Sequence, residues 1–316
     1  MRGGDAGAKV AITSVHRGCV MSPQARRVES LHTDKGYVPV YTTAVVEQPW
    51  ADYTPVEHDT WTRLFRRQRE VLKGRSCAVF FQNQERFGMT ADAIPRFDDI
   101  NEVLARSTGW QIVGVEGLLP ELTFFEHLAN RRFPVTWWIR KPEQIDYIAE
   151  PDLFHDLYGH VPLLLDPAFA DYMQAYGRGG VKAHGIGADA LTHLTRLYWY
   201  TVEFGLIREP AGLRIYGAGI LSSKGESIHC LESAAPNRIG FDLMRIMRTR
   251  YRIDSYQKTY FVIDSFEQLM RATQPDFTPY YRQLADLPAI AAGDVLAGDA
   301  LYNRGTGEGW SADGDV

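Results

Sequence analysis

The chain has few cysteines, no long apolar run and no strong excess of charge, and each shortage removes a class of protein. Cys19, Cys77 and Cys230 are odd in number, widely separated and without CxxC spacing, so neither a disulfide framework nor a zinc ribbon is indicated. A reducing cytoplasm fits this usage. No segment is long and apolar enough to span a bilayer. The formal net charge of −5 leaves no electrostatic footprint for nucleic acid or for an anionic membrane. Residues 1 to 20 lack a long apolar stretch before a cleavage site, which excludes a secretory signal peptide. No internal repeat stands out. Small soluble molecules are the default partners.

What is present is an ordinary globular composition with a mainly helical pattern. In TPVEHDTWTRLFRRQREVLKG, Thr54 and Glu57 form a capping box, Pro55 takes the first helical position and Gly74 marks the stop. Trp61, Leu64, Phe65, Gln68, Val71 and Leu72 recur at three-four spacing, so one face packs inward while Arg63, Arg66, Arg67 and Arg69 form a solvated face. Short β-rich pieces such as YVPVYTTAVV and LRIYGAG add limited sheet, giving an α+β class that is predominantly α-helical with short β elements. The expected organisation is a disordered N-terminal extension over 1–25, a single domain over 26–300 and a flexible tail over 301–316. Two glycine-rich stretches, YGRGGVKAHG and YGAGILSSKG, carry Lys182 and Ser222 where GxGxxG needs its third glycine, so no dinucleotide site is expected.

The segment that carries chemistry is PDLFHDLYGHVPLL, residues 151–164, with His155 and His160 five apart among apolar residues. Glu203 follows in RLYWYTVEFGLI, read as one helical run. A carboxylate among so many apolar groups requires a partner or a metal. An ion pair with Arg196, two turns earlier, would satisfy it without one. Two imidazoles and a carboxylate leave metal positions open for oxygen and substrate, and suit either ferrous iron or a hydrolytic zinc. The spacing is not HExxH, and at i+5 an ideal helix turns the second imidazole about 140° from the first. Gly159 is therefore expected to end or distort the helix.

Four motifs in order, PDLFHDLYGHVPLL, LYWYTVEFGLI, IYGAGILSSKGES and YQKTYFVIDSF, resemble the pterin-dependent aromatic amino-acid hydroxylases, and among them the short bacterial phenylalanine 4-monooxygenases. The likeness runs from about Arg26 into the C-terminal region. It implies the catalytic-domain fold of that family, with His155, His160 and Glu203 as Fe(II) ligands. A tetrahydropterin, tetrahydrobiopterin or a relative, would lie beside GVEGLLPELTFF, stacked on Phe124 and lined by Gly117, Leu119 and Tyr198. Glu121 stands where the animal enzymes usually carry a small polar residue. Arg140 would meet the α-carboxylate of the amino acid, with Pro151, His155, Trp199, Gly219 and Ser222 around it.

The implied reaction takes L-phenylalanine, dioxygen and reduced pterin to L-tyrosine, one oxygen atom leaving on the pterin. Trp199, where tryptophan hydroxylases tend to carry Phe, and Ile253, where tyrosine hydroxylases carry Asp, favour phenylalanine over the alternative of tryptophan hydroxylation. The chain has no room for the regulatory domain and tetramerising helix of the animal enzymes, so a monomer served by a separate pterin-recycling system is expected. A zinc-dependent hydrolase and a noncatalytic binding module remain the competing classes.

Overall fold

The computed structural model describes residues 41–310 and, as backbone alone, residues 31–33 and 36–38. The extension expected over 1–25, Cys19 and the last six residues of the expected tail lie outside them. β1 (Leu31–Thr33) and β2 (Gly36–Val38) pair antiparallel. A three-stranded sheet follows, made of β3 (Val45–Val46), β4 (Gln111–Val115) and β5 (Arg132–Thr136) in that order, with β4 and β5 parallel. Between β3 and β4 the chain forms α1 (Pro55–Val71), α2 (Ala78–Arg86) and α3 (Phe97–Ser107), and α4 (Glu121–Ala129) joins β4 to β5. The helix-rich α+β class is borne out.

α1 forms as its sequence dictates. Thr54 Oγ1 accepts from Glu57 N at 3.3 Å and Glu57 Oε2 accepts from Thr54 N at 2.8 Å, which satisfies two amides at the open end of the helix. Trp61, Leu64, Phe65 and Gln68 are buried, whereas Arg63 and Arg66 face solvent.

After β5 the chain runs through a π-helix at His155–His160 and a 3-10 turn at Val161–Leu165 into α5 (Pro167–Ile186) and α6 (Ala188–Tyr198). A second π-helix, Trp199–Glu203, continues directly from α6. The expectation of one helical run through Ile207 is corrected here. Leu206–Glu209 is strand β6, pairing antiparallel with β7 (Gly212–Ile215) and parallel with β9 (Thr259–Ile263), because those strands offer its backbone groups a ladder that ends the helix. Then come α7 (Ala218–Leu221), α8 (Lys224–Glu232), β8 (Asn237–Gly240), α9 (Leu243–Arg248), α10 (Phe266–Thr273) and α11 (Thr278–Ala285).

The larger sheet has the order β10-β8-β9-β6-β7, and its edge strand β10 (Leu301–Asn303) lies in the segment that the sequence reading put in a tail. Residues 287–300 are also tied to the domain. Arg245 Nε bonds Asp299 at 3.0 Å with both side chains buried, and Ile290 forms a parallel bridge with Thr249.

Glycines explain how the layers approach so closely. A Cβ on Gly177 would lie 2.4 Å from Ala129 N, and one on Gly180 would lie 2.1 Å from the Phe125 ring. The first glycine-rich stretch is therefore the packing face of α5 against α4, not a phosphate loop.

Candidate active site

The two π-helices carry the three residues singled out from the sequence. In a π-helix the repeat is i→i+5, which returns residues five apart to one side, whereas an α-helix would part them. His155 and His160 are the first and last residues of theirs, so the spacing that argued against an ordinary helix is what brings the imidazoles together. The helix is distorted as expected, but Gly159 does not end it. Glycine is needed there because a Cβ would stand 2.9 Å from Ala218 O, where α7 crosses the π-helix.

His155 Nε2 and His160 Nε2 lie 3.1 Å apart, and His160 Nε2 is 3.2 Å from Glu203 Oε1. His155 Nε2 is 3.7 Å from Glu203 Oε2. Ligands bound at about 2.1 Å on one side of a cation are spaced in this way. Among the described residues this is the one group of three or more His, Cys, Asp or Glu side chains that could hold a metal. The alternative partner for Glu203 is not used, because Arg196 points to Met247 O at 3.4 Å.

Surrounding groups prepare these donors. Ser222 Oγ donates to Ala218 O at 2.9 Å, so it accepts from His155 Nδ1–H, also at 2.9 Å, and leaves the His155 Nε2 lone pair for a metal. Burial pushes the His155 imidazole down to about 4, which keeps it neutral at physiological pH. Burial also pushes the Glu203 carboxyl up, but the His160 and His155 imidazoles and the Gly219 N–H outweigh it and hold the group below its ordinary value. A Cβ on Gly219 would fall 2.9 Å from the Phe204 ring and 3.2 Å from Glu203 Oε2, so the YGAG turn fits closely behind the carboxylate.

Phe124, on α4, meets Tyr198 edge-to-face at 5.8 Å, and Tyr198 lies against the His160 ring at 6.4 Å. Both Phe124 and Tyr198 are half-buried, so an aromatic surface opens beside the histidines. Gly117 and Leu119 sit in the half-buried loop between β4 and α4, held by a bond from Trp138 Nε1 to Glu116 O at 3.0 Å. Glu121 starts α4 and is exposed.

Arg140 is no surface charge. It is 6% exposed and pairs with the fully buried Asp152 through Nε at 2.8 Å and Nη2 at 2.9 Å, leaving Nη1 outside the pair. Asp152 also accepts from Arg140 N at 2.9 Å and from His155 N at 3.1 Å, so one carboxylate both orients the arginine and starts the helical segment that carries His155. Sequence reasoning missed Asp152, although an Asp three residues before His155 at the head of a helical segment is a legible cap. Pro151 is half-buried next to it. Asp156, also missed, accepts from Thr136 N at 2.7 Å and fastens the π-helix to β5.

Trp199 stacks on Tyr251 at 4.3 Å and lies against Phe204 at 4.6 Å. Tyr251 was not foreseen. Ile253, two residues on, is 68% exposed.

Residues 39–283 match the model of the biopterin-dependent aromatic amino acid hydroxylases. The chain belongs to this family. Among curated relatives, the phenylalanine-4-hydroxylase of Ralstonia nicotianae is 63% identical over 271 residues, covering 86% of each chain. That of Chromobacterium violaceum is 61% identical over 269 residues, covering 85% of this chain and 90% of the relative. A crystal structure of the C. violaceum phenylalanine hydroxylase bound to cobalt matches with a TM-score of 0.81 and 58% identity, covering 88% of this chain and 97% of that one. Another, with bound oxidised Fe(III), matches with a TM-score of 0.80 and 61% identity over 82% of this hydroxylase and 94% of that chain. The expected family and catalytic-domain fold are borne out, and the hydroxylase reading is supported over the competing zinc hydrolase and binding module.

Proposed function

We propose that this hydroxylase converts L-phenylalanine to L-tyrosine with dioxygen, using Fe(II) and a tetrahydropterin cosubstrate. The observation that carries the proposal is the convergence of His155 Nε2, His160 Nε2 and the Glu203 carboxylate beside the Phe124 and Tyr198 rings. These three side chains would hold the iron. Iron and reduced pterin, when bound, supply the electrons for dioxygen activation, which no side chain provides unaided.

The remaining roles belong to the chain itself. Ser222 fixes the His155 tautomer, and Gly219 leaves space and an N–H for Glu203. Phe124, with Gly117, Leu119 and Tyr198, offers a flat heterocycle a stacking surface and backbone polar groups. Arg140, aimed by Asp152, presents Nη1 to the substrate α-carboxylate as a charge-assisted donor. Trp199, Pro151 and His155 bound the aromatic side chain, and bound substrate and pterin would together close the site and displace its water.

The selectivity reading rests on Trp199, because Ile253 faces solvent. An apolar wall separates similar rings only modestly, so some activity on tryptophan accompanies the main reaction. We further assign the enzyme to the cytoplasm as a monomer with a separate pterin-recycling system and no nucleic-acid or membrane partner. The free, buried thiols of Cys77 and Cys230 support a reducing compartment.

The test is turnover of phenylalanine, tyrosine and tryptophan under saturating tetrahydropterin after anaerobic loading with ferrous iron or zinc. The iron form should give the highest kcat/KM with phenylalanine. A higher value for tryptophan would overturn the substrate, and ester or amide hydrolysis by the zinc form alone would overturn the chemistry.

A further inference from the structure

Trp199 is held by more than its ring stacks. Its Nε1–H donates to Gln257 Oε1 at 2.9 Å. The Gln257 amide cannot turn over, because its Nε2 donates to Arg252 O at 2.8 Å and faces Ser255 O at 3.4 Å. The backbone N–H of Gln257 in turn donates to Glu226 Oε1 at 3.1 Å. The same oxygen accepts the Tyr260 hydroxyl. Glu226 is itself fixed on α8, where its N–H bonds the Ser223 cap at 3.3 Å. Gln257, Glu226 and Tyr260 are all buried.

We propose that Gln257 and Glu226 are positioning residues for the aromatic substrate, acting through the Trp199 indole. This rests on the reading of Trp199 as a wall of the amino-acid pocket. The stacks on Tyr251 and Phe204 set the plane of the indole but leave rotation within that plane free, and the bond to Gln257 removes that freedom. Trp199 also opens the π-helix that ends at Glu203, and its carbonyl accepts from Phe204 N at 2.8 Å. The segment before β9 is thereby tied to the helix that carries a metal ligand.

A buried carboxyl is an expensive way to fill space, and an apolar residue of like volume would pack there at lower cost. What Glu226 offers that such a residue would not is one oxygen accepting two donors, which sets Gln257 against α8. Both residues are buried, and Gln257 meets the Trp199 indole directly, so the effect passes through the indole.

The experiment compares Gln257→Met, Glu226→Met and Glu226→Gln with the parent enzyme, with kcat and KM read separately for phenylalanine and tetrahydropterin. Tyrosine formed per pterin oxidised and the phenylalanine-to-tryptophan kcat/KM ratio are read alongside. Loss of one neutral hydrogen bond predicts a rise of about three- to tenfold in KM for phenylalanine in both Met variants. The pterin KM should stay within about twofold, and coupling and selectivity should fall together. Glu226→Gln, which keeps an acceptor oxygen, should restore values close to the parent.

Adding Gln257→Met to Trp199→Phe, which has no indole N–H, should then cost nothing further in KM, whereas independent effects would multiply. If Glu226→Met does not fold, Gln257→Met carries the test alone, since it leaves the Glu226–Tyr260 pair intact. Unchanged phenylalanine KM in folded Gln257→Met, multiplying effects with Trp199→Phe, or failure of Glu226→Gln to restore function would each overturn the relay. If Trp199→Ala itself leaves KM for phenylalanine unaltered, the pocket reading falls first and takes the relay with it.

Discussion

Replacing Asp152 by asparagine keeps the shape of the side chain but removes the charge that compensates Arg140. The pair is deeply buried, with Arg140 6% and Asp152 0% exposed, and the aspartate accepts from Arg140 Nε, Nη2 and N and from His155 N. Asparagine would turn one amide donor toward a guanidinium that only donates. Removing one partner of a buried ion pair costs about 3–5 kcal/mol, because the other charge is left uncompensated. At roughly 2–4 °C per kcal/mol for a domain of this size, Tm should fall by about 6–20 °C.

Kinetics should change too. A guanidinium released from Asp152 no longer aims Nη1, and losing about 1.4 kcal/mol of substrate binding raises KM for phenylalanine tenfold. Burial pushes the Asp152 carboxyl up, but Arg140 outweighs it and holds the group below its ordinary 3.8. Its contribution is therefore fully present above that value and is lost only as pH falls through the lower folded one. The difference between parent and Asp152→Asn should stay constant between about pH 5 and 8. Calorimetric melts across that range, with steady-state kinetics at saturating pterin, measure both effects. A variant within about 2 °C of the parent with unchanged KM would refute the assignment of Arg140 and Asp152 as a stabilising, substrate-orienting pair.

Gly219→Ala should weaken iron binding by about 10–100-fold, the usual effect of disturbing the groups behind a ligand, because the new methyl meets Phe204 and Glu203. Competitive metal titration reads this directly. Phe124→Ala should raise the tetrahydropterin KM at least about tenfold through lost stacking and burial while altering the phenylalanine KM little, which separate substrate titrations would show. Burial raises the Glu226 carboxyl from its ordinary 4.5 to about 7. The folded protein then keeps a proton that the unfolded chain releases, so stability falls as pH rises from 4.5 to 7 and levels off above. Glu226→Gln removes that slope, and urea titrations should show it gaining up to about 3 kcal/mol on the parent between pH 4 and pH 8.

The sequence by itself determined the pieces whose causes are local. The α1 cap and buried stripe depend on residues three or four apart, and the pair of histidines and the acidic residue stand in motifs whose order identifies the family. Tertiary structure decided what depends on contacts between distant segments. The i+5 spacing of His155 and His160 made sense only as a π-helix pressed onto α7, where the Ala218 carbonyl leaves room for nothing larger than Gly159. The glycine-rich stretch around Gly177 and Gly180 fails the dinucleotide pattern in the sequence, but only the packing of α4 against it shows what the glycines are for. The sequence points to Arg140 but not to its partner, because Asp152, twelve residues on, meets it only in the fold. Local propensity is written in neighbouring residues, but burial and pairing of polar groups are settled only when remote parts of the chain close on one another.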